Sequence, residues 1–234
     1  MSLSRRSDVS LIVRFMAAIL IVILVAFISV LSREGLAHIY DQQTTGYLSF
    51  WKQQFLKEQQ TDTSSLLKVN EDQLNKAVSG GVRTVKQSPE NPRFLGQLAG
   101  VYDVQNGKGA EQAVILYRQL IRKKPAWPYY RANLALAKAR VGELDREFEI
   151  ALEQAVLTGP WEKDVLERVA TLGFVYQDWL NPRTNTLISK NLKRWVTLYT
   201  WDALKAAAQY GEITKACSFL LESEKYSLCH VNQR

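Results

Sequence analysis

The side chains best suited by type to chemistry are the acidic run Glu143, Asp145, Glu147 and Glu149, the histidines His38 and His230, and the cysteines Cys217 and Cys229. Two carboxylates can serve as acid and base on a glycosidic bond, and Asp145 and Glu149 share a helix face at i, i+4 spacing. Arg146 interrupts them, so the ordinary reading is a solvated acidic edge. Neither histidine stands in HExxH or another metal-ligand spacing, and both read as surface residues. No GxSxG, phosphate loop or dinucleotide glycine motif occurs in its required context. Gly80 and Gly81, within VSGGVR, fall inside an expected helix, at a helix crossing. The sequence argues against an enzyme, with no catalytic residue, metal ligand or cofactor expected.

Cys217 and Cys229 are twelve residues apart. On one continuous helix they would be roughly 18 Å apart, whereas a disulfide needs Cα atoms within ~4.4–6.8 Å. Pairing therefore requires the chain to reverse between them. Residues 222–225 are the expected place, after a helix starting near Ile213. An oxidising compartment favours the pair and a reducing one leaves free thiols, so both states remain open at this stage.

What remains is surface recognition. Trp127, Tyr129, Tyr130 and Arg131 place three aromatic rings and a cation at an expected helix start, and Trp161 repeats the aromatic one unit later. Such groups bind peptide or sugar, although rings at a helix start more often pack between helices. The candidate groove residues, chosen by helix face, are Asp103, Tyr129, Arg131 and Arg140.

The elements that must position these residues begin with a hydrophobic segment. Residues 15–31 read FMAAILIVILVAFISVL, uncharged and with Ser29 as the one polar side chain. Extended back to Leu11, the run reaches the ~20 residues that a bilayer core of roughly 30 Å requires, with Arg14 able to snorkel to the headgroups. Arg5, Arg6 and Arg14 precede the core and Arg33 alone follows it closely, which puts the N-terminus in the cytoplasm by the positive-inside rule. The run is longer than the ~7–15 residues of a signal peptide and ends in SVLSREG, without a small-x-small cleavage site. It reads as an uncleaved anchor, with the bulk of the protein beyond the membrane. The mean hydropathy of -0.18 thus averages a greasy anchor with a polar domain. The net charge of +7 likewise divides between topology and a modest excess on that domain. No stretch interleaves basic and aromatic residues as a single-strand binder would, so nucleic acid is not an expected partner.

Beyond the anchor, apolar residues fall at spacings of three and four, which predicts helix throughout. Ala77, Gly81, Thr84 and Pro89 are separated by four, three and five residues. Ala113, Tyr117, Leu120 and Pro125 repeat those intervals, as do Phe148, Leu152, Ala155 and Pro160. Leu95, Leu98, Ala99 and Tyr102 supply a preceding first helix, and Leu134, Ala135 and the turn glycine Gly142 supply the next. This pattern resembles the tetratricopeptide repeat over residues 66–180. It departs from the pattern in extra residues around Asn106 to Gly109 and in Lys138, where an aromatic is usual. The resemblance implies an all-α fold: a transmembrane helix followed by a tetratricopeptide-like α-solenoid with capping helices, since a helical pair must stack on its neighbours. Tyr47, Trp51 and Phe55 form an aromatic stripe expected to pack on the first unit, and residues 191–209 read as closing helices. The resulting organisation is a cytoplasmic tail (1–10), the anchor (11–31), a juxtamembrane helical segment (32–65), the repeats (66–180) and C-terminal capping helices (181–234).

Residues 126–180, with their GELD-x-EF helix, the GPWE turn at 159–162 and the closing Trp179-Leu180, resemble the VpsP-like polysaccharide biosynthesis proteins of bacteria. That resemblance implies a single-pass inner-membrane protein with a periplasmic domain, serving as a scaffold for protein partners of exopolysaccharide biosynthesis and export. A general envelope adaptor in secretion or cytochrome assembly, or a polysaccharide-binding protein, would share the architecture.

Overall fold

The computed structural model describes residues 4–61, 69–105, 108–220 and 229, and among them there is helix and turn but no strand. The helices are α1 (Ser4–Thr61), α2 (Glu71–Gln87), α3 (Pro92–Val104), α4 (Lys108–Lys123), α5 (Pro128–Arg140), α6 (Arg146–Thr158), α7 (Lys163–Tyr176), α8 (Pro182–Leu198), α9 (Thr200–Gln209) and α10 (Ile213–Cys217). A 3-10 turn, Gln177–Trp179, joins α7 to α8.

Helix α1 is one unbroken helix with two environments. Residues 15–31 are exposed on every face, and from Ala37 onward the same helix is buried at Ala37, Asp41, Thr44 and Trp51. The first part is long and apolar enough to cross a membrane; the second packs on α2 and α3. The anchor and the juxtamembrane segment are therefore continuous as far as Thr61. Trp51, with Tyr47 stacked on it at 5.8 Å, joins Ala77 and Val101 in the N-terminal core, as the aromatic stripe predicts; the side chain of Phe55 lies outside the described residues.

Short polar signals delimit the other helices. Asn91 and Asn181 accept hydrogen bonds from Arg93 N–H (3.0 Å) and Thr184 N–H (2.9 Å), each followed by a proline at the first helical position. The capping oxygen satisfies an orphan donor, and proline there forfeits no helical bond. Gly142 and Gly211 end α5 and α9 with φ of 76° and 74°. Glycine takes this left-handed conformation without the Cβ penalty. The same pair of backbone bonds closes each turn, Glu143 N–H to Lys138 O and Glu212 N–H to Ala207 O.

Each helix packs on those before and after it in the chain, with next-nearest contacts between α1 and α3, α5 and α7, α6 and α8, α7 and α9, and α8 and α10. Ala77, Gly81 and Thr84 are buried on α2, Ala113, Tyr117 and Leu120 on α4, and Phe148, Leu152 and Ala155 on α6. Gly81 is needed at the crossing, since an added Cβ would come within 2.9 Å of the Leu98 side chain. The four-and-three spacing occurs once more on α8, where Thr184, Ile188 and Asn191 are buried. Thr184 donates to Glu153 at 2.8 Å and Asn191 to Leu166 O at 2.7 Å, although Asn191 Oδ1 itself accepts nothing among the described residues. At the C-terminal end Cys217 and Cys229 form a disulfide with Cα atoms 6.2 Å apart. Helix α10 stops at Cys217, before the expected turn at residues 222–225, which lie outside the described residues.

The acidic run is more than the solvated edge expected. Glu143, Asp145 and Glu147 remain about half exposed, but they are also engaged. The three carboxylates accept from Lys138 Nζ at 2.6, 3.0 and 2.9 Å, and the Lys138 side chain is 0% exposed. Arg118, from α4, closes the cluster with bonds of 2.9 and 2.5 Å to Glu147. Lys138 is thus the centre of the α5–α6 turn. Glu149 faces elsewhere, accepting from Asn181 N–H at 2.7 Å. Residues 191–209 are helical, as expected, taking in the end of α8, which stops at Leu198, and α9, where Trp201 is exposed while Ala203, Leu204 and Ala207 are buried.

Candidate functional site

Helices α1, α5, α7 and α9 border a common groove. It has a volume of about 610 Å³ and is bounded by Lys52 of α1, Leu136 of α5, Glu167 and Arg168 of α7, and Gln209 and Tyr210 at the end of α9. Its walls mix both signs of charge. Burial, followed by the nearby Asp164 carboxylate, raises the Glu167 pKa. Burial also raises the Tyr210 phenol, with Glu167 adding to the effect.

A polar network adjoins the groove through Arg168. Tyr117, buried on α4, donates to Asp103 Oδ2 at 2.6 Å, and Asn133 Nδ2 donates to the Tyr117 oxygen at 3.3 Å. Arg140 lies 3.5 Å from Asp103 Oδ1 and also donates to the Asp103 carbonyl. Burial raises the Asp103 pKa, against the hydrogen bond from Tyr117 and the charges of Arg140 and Arg168. Tyr117 is pushed well above the ordinary phenol range by burial and then by Asp103. Two buried oxygens here, Asp103 Oδ1 and Asn133 Oδ1, accept no hydrogen bond among the described residues; Gln97 Oε1, earlier on α3, is a third, on a side chain whose amide donates to Thr45 of α1 at 2.8 Å. A buried acceptor without a donor costs about 1–3 kcal/mol, a cost that the Arg140 guanidinium, 3.5 Å from Asp103 Oδ1, offsets in part.

No family model matches this chain, and no curated protein matches it. The functional reading therefore rests on its own residues.

Of the four groove candidates, Asp103 and Arg140 come together although 37 residues apart, and they belong to the network. Tyr129 and Arg131 do not join them. Tyr129 donates to Glu162, and Arg131 holds Pro125 O through Nε and Nη2 at 3.2 and 3.1 Å. Both sit at the start of α5, opposite the Arg140 end and roughly 15 Å of helix away. The Tyr129 bond joins neighbouring turns, and the Arg131 bonds close its own α4–α5 turn. Sequence reasoning missed Gln97, Asn133 and Arg168. The available signal for Asn133 was an amide one residue before Leu134, at an otherwise apolar helix crossing.

Among the described residues no three His, Cys, Asp or Glu side chains could hold a metal ion. His38 is an exposed residue whose ring meets Phe94 edge-on at 5.4 Å; His230 lies outside the described residues. The groove offers a ligand charge of both signs, from the carboxylates of Asp164 and Glu167 and the cations Lys163 and Arg168.

Proposed function

We propose that this protein is a non-enzymatic, membrane-anchored scaffold that uses a tetratricopeptide-like array to hold an extended segment of a protein partner, in bacterial exopolysaccharide biosynthesis and export. The observation that carries the binding role is the open groove itself, whose walls carry Lys52, Lys163 and Arg168 beside Asp164 and Glu167. An extended peptide presents backbone donors and acceptors at regular intervals, which walls of both charge signs can engage. The recurrence of buried positions on α2, α4, α6 and α8 supports the repeat type. The apolar half of α1 supports anchoring. The Cys217–Cys229 bond fits an oxidising compartment, and Arg5, Arg6 and Arg14 fit an N-terminus on the cytoplasmic side. The domain then lies in the periplasm, on the inner membrane. The polysaccharide pathway rests on the resemblance of residues 126–180 alone.

A photo-crosslinking amino acid at Gln209, in the groove, is expected to trap a discrete protein adduct in cells. The same group at the exposed Ile150 of α6 should trap none, and identical adducts at both positions would overturn the groove reading. Deleting the gene should lower exported polymer while sugar-nucleotide levels hold. Unchanged polymer would remove the pathway assignment and leave the groove untouched.

A further inference from the structure

The loops between successive helix pairs form one continuous rim, and that rim starts where α1 leaves its apolar half. Glu34, three residues after Leu31, accepts from Ser88 at the α2–α3 turn at 2.7 Å. Glu90 in that turn pairs with Lys123 at the end of α4, and Tyr130 donates to Pro92 O at 3.5 Å. Tyr129 donates to Glu162 in the α6–α7 turn, and Lys163 pairs with Asp202, at the start of α9, at 2.6 Å. Each contact joins one inter-pair turn to the next, beginning about 5 Å of helix beyond the apolar segment.

This rim carries exposed tryptophans at its turns: Trp127 is 48% exposed, Trp161 65% and Trp201 70%. Cations accompany them, Lys124 lying 5.7 Å over the Trp127 ring and Arg194 5.4 Å over Trp161. No Asp or Glu occurs between Glu111 and Glu143, the stretch that includes Arg122, Lys123, Lys124 and Arg131. Arg122 is exposed and makes no ion pair among the described residues. The opposite rim differs: its α5–α6 turn carries Glu143, Asp145 and Glu147, already engaged by Lys138.

Indole rings favour the headgroup region of a bilayer, and basic side chains favour anionic lipid. We propose that the rim bearing Trp127, Trp161 and Trp201 lies against the lipid headgroups of the membrane that α1 crosses, so that the helical array is fixed flat to the bilayer instead of swinging on its anchor. This rests on α1 spanning the membrane, and is independent of what the groove holds. The occupant is the bilayer because the rim is contiguous with α1 through Glu34 and Ser88. A protein partner for these rings would have no reason to sit at the anchored edge.

The test uses the full-length protein reconstituted in vesicles of mixed zwitterionic and anionic phospholipid, with or without acyl chains brominated near the headgroup. Bromine quenches indole emission at short range. Trp127→Phe, Trp161→Phe and Trp201→Phe should each remove about a third of the quenchable emission, as three interfacial rings would. Trp179→Phe is the control: Trp179 is 71% exposed but sits at the far end of α7, roughly 20 Å of helix away, and its loss should leave quenching unchanged. All four rings are exposed, so none of the substitutions disturbs the core, and circular dichroism confirms the fold. Vesicle flotation separates the two layers of the argument. Protein that floats while its emission is unquenched overturns the rim proposal and keeps the anchor, as does quenching lost chiefly with Trp179. Protein that fails to float overturns the anchor itself.

Discussion

Lys138 and Asp103 are both charged and both withdrawn from water, at 0% and 13% side-chain exposure, yet their surroundings are opposite. Lys138 has three carboxylates within 3.0 Å, and two of them are met in turn by Arg118, Glu147 at 2.5 Å and Glu143 at 3.7 Å. Every donor of its ammonium is used, and the group joins the α5–α6 turn to α4. Asp103 has one hydroxyl donor, a guanidinium at 3.5 Å and an oxygen that accepts nothing. The first region has nothing left to offer a ligand, and the second does. Charge density alone would have ranked them the other way, since the acidic run is the more conspicuous in the sequence.

The sharpest way to break this comparison is to remove Lys138. Lys138→Met keeps the volume and leaves Glu143, Asp145 and Glu147 facing one another. Breaking a buried ion pair costs ~3–5 kcal/mol, and the low end, about 3, applies because these carboxylates are partly exposed. Urea denaturation should show that loss at neutral pH, with the deficit shrinking as acid neutralises the carboxylates. A loss below about 1 kcal/mol would mean that the cluster is surface decoration.

Glu147 tests the same cluster by pH. The hydrogen bond from Arg118 and then that from Lys138, working against partial burial, lower its pKa from 4.5 to about 2. A carboxylate with a depressed folded pKa stabilises above its unfolded value and loses that stabilisation as pH falls through the folded one. Wild-type stability should therefore fall between pH 4.5 and about 2. Glu147→Gln should be about 1–2 kcal/mol less stable at neutral pH, as for a lost charged hydrogen bond, and flatter through that window. Parallel pH curves for the two proteins would remove Glu147 from the stabilising set.

How far these regions could be read in advance depends on the range of the interaction. The buried positions of α2, α4 and α6 were legible because apolar and small residues repeat at fixed intervals. Those of α8 were not, because Thr184 and Asn191 are polar and their partners, Glu153 and Leu166, are 31 and 25 residues away. Lys138 read as a flaw in the repeat pattern because nothing local shows that Arg118 and three acids converge with it. Asp103 and Arg140 were picked by helix face; the two meet each other, but neither lines the groove. Tyr129 and Arg131 share the face-based reasoning but stand at a helix start, where the turn takes up their polar groups. Periodicity reports which way a side chain points; it does not report whether its hydrogen bonds are already made.

Asp103 gives the smallest expected effect on stability and the most informative one. Burial raises its pKa, so the ionised form is disfavoured in the folded protein, and its contribution to stability declines as pH rises through the folded value. Asp103→Asn retains an acceptor for the Tyr117 hydroxyl and removes the charge. Its stability should lie within about 1 kcal/mol of wild type at neutral pH and should improve relative to wild type as pH rises from 4. Crosslinking from Gln209 should nevertheless drop about tenfold, the loss of one charged hydrogen bond to a partner. If the substitution instead destabilises the domain as Lys138→Met does, while crosslinking per folded molecule is unchanged, Asp103 is architecture and the two regions are alike. A stable variant that no longer captures its partner would place the difference in the polar network that reaches the groove through Arg168.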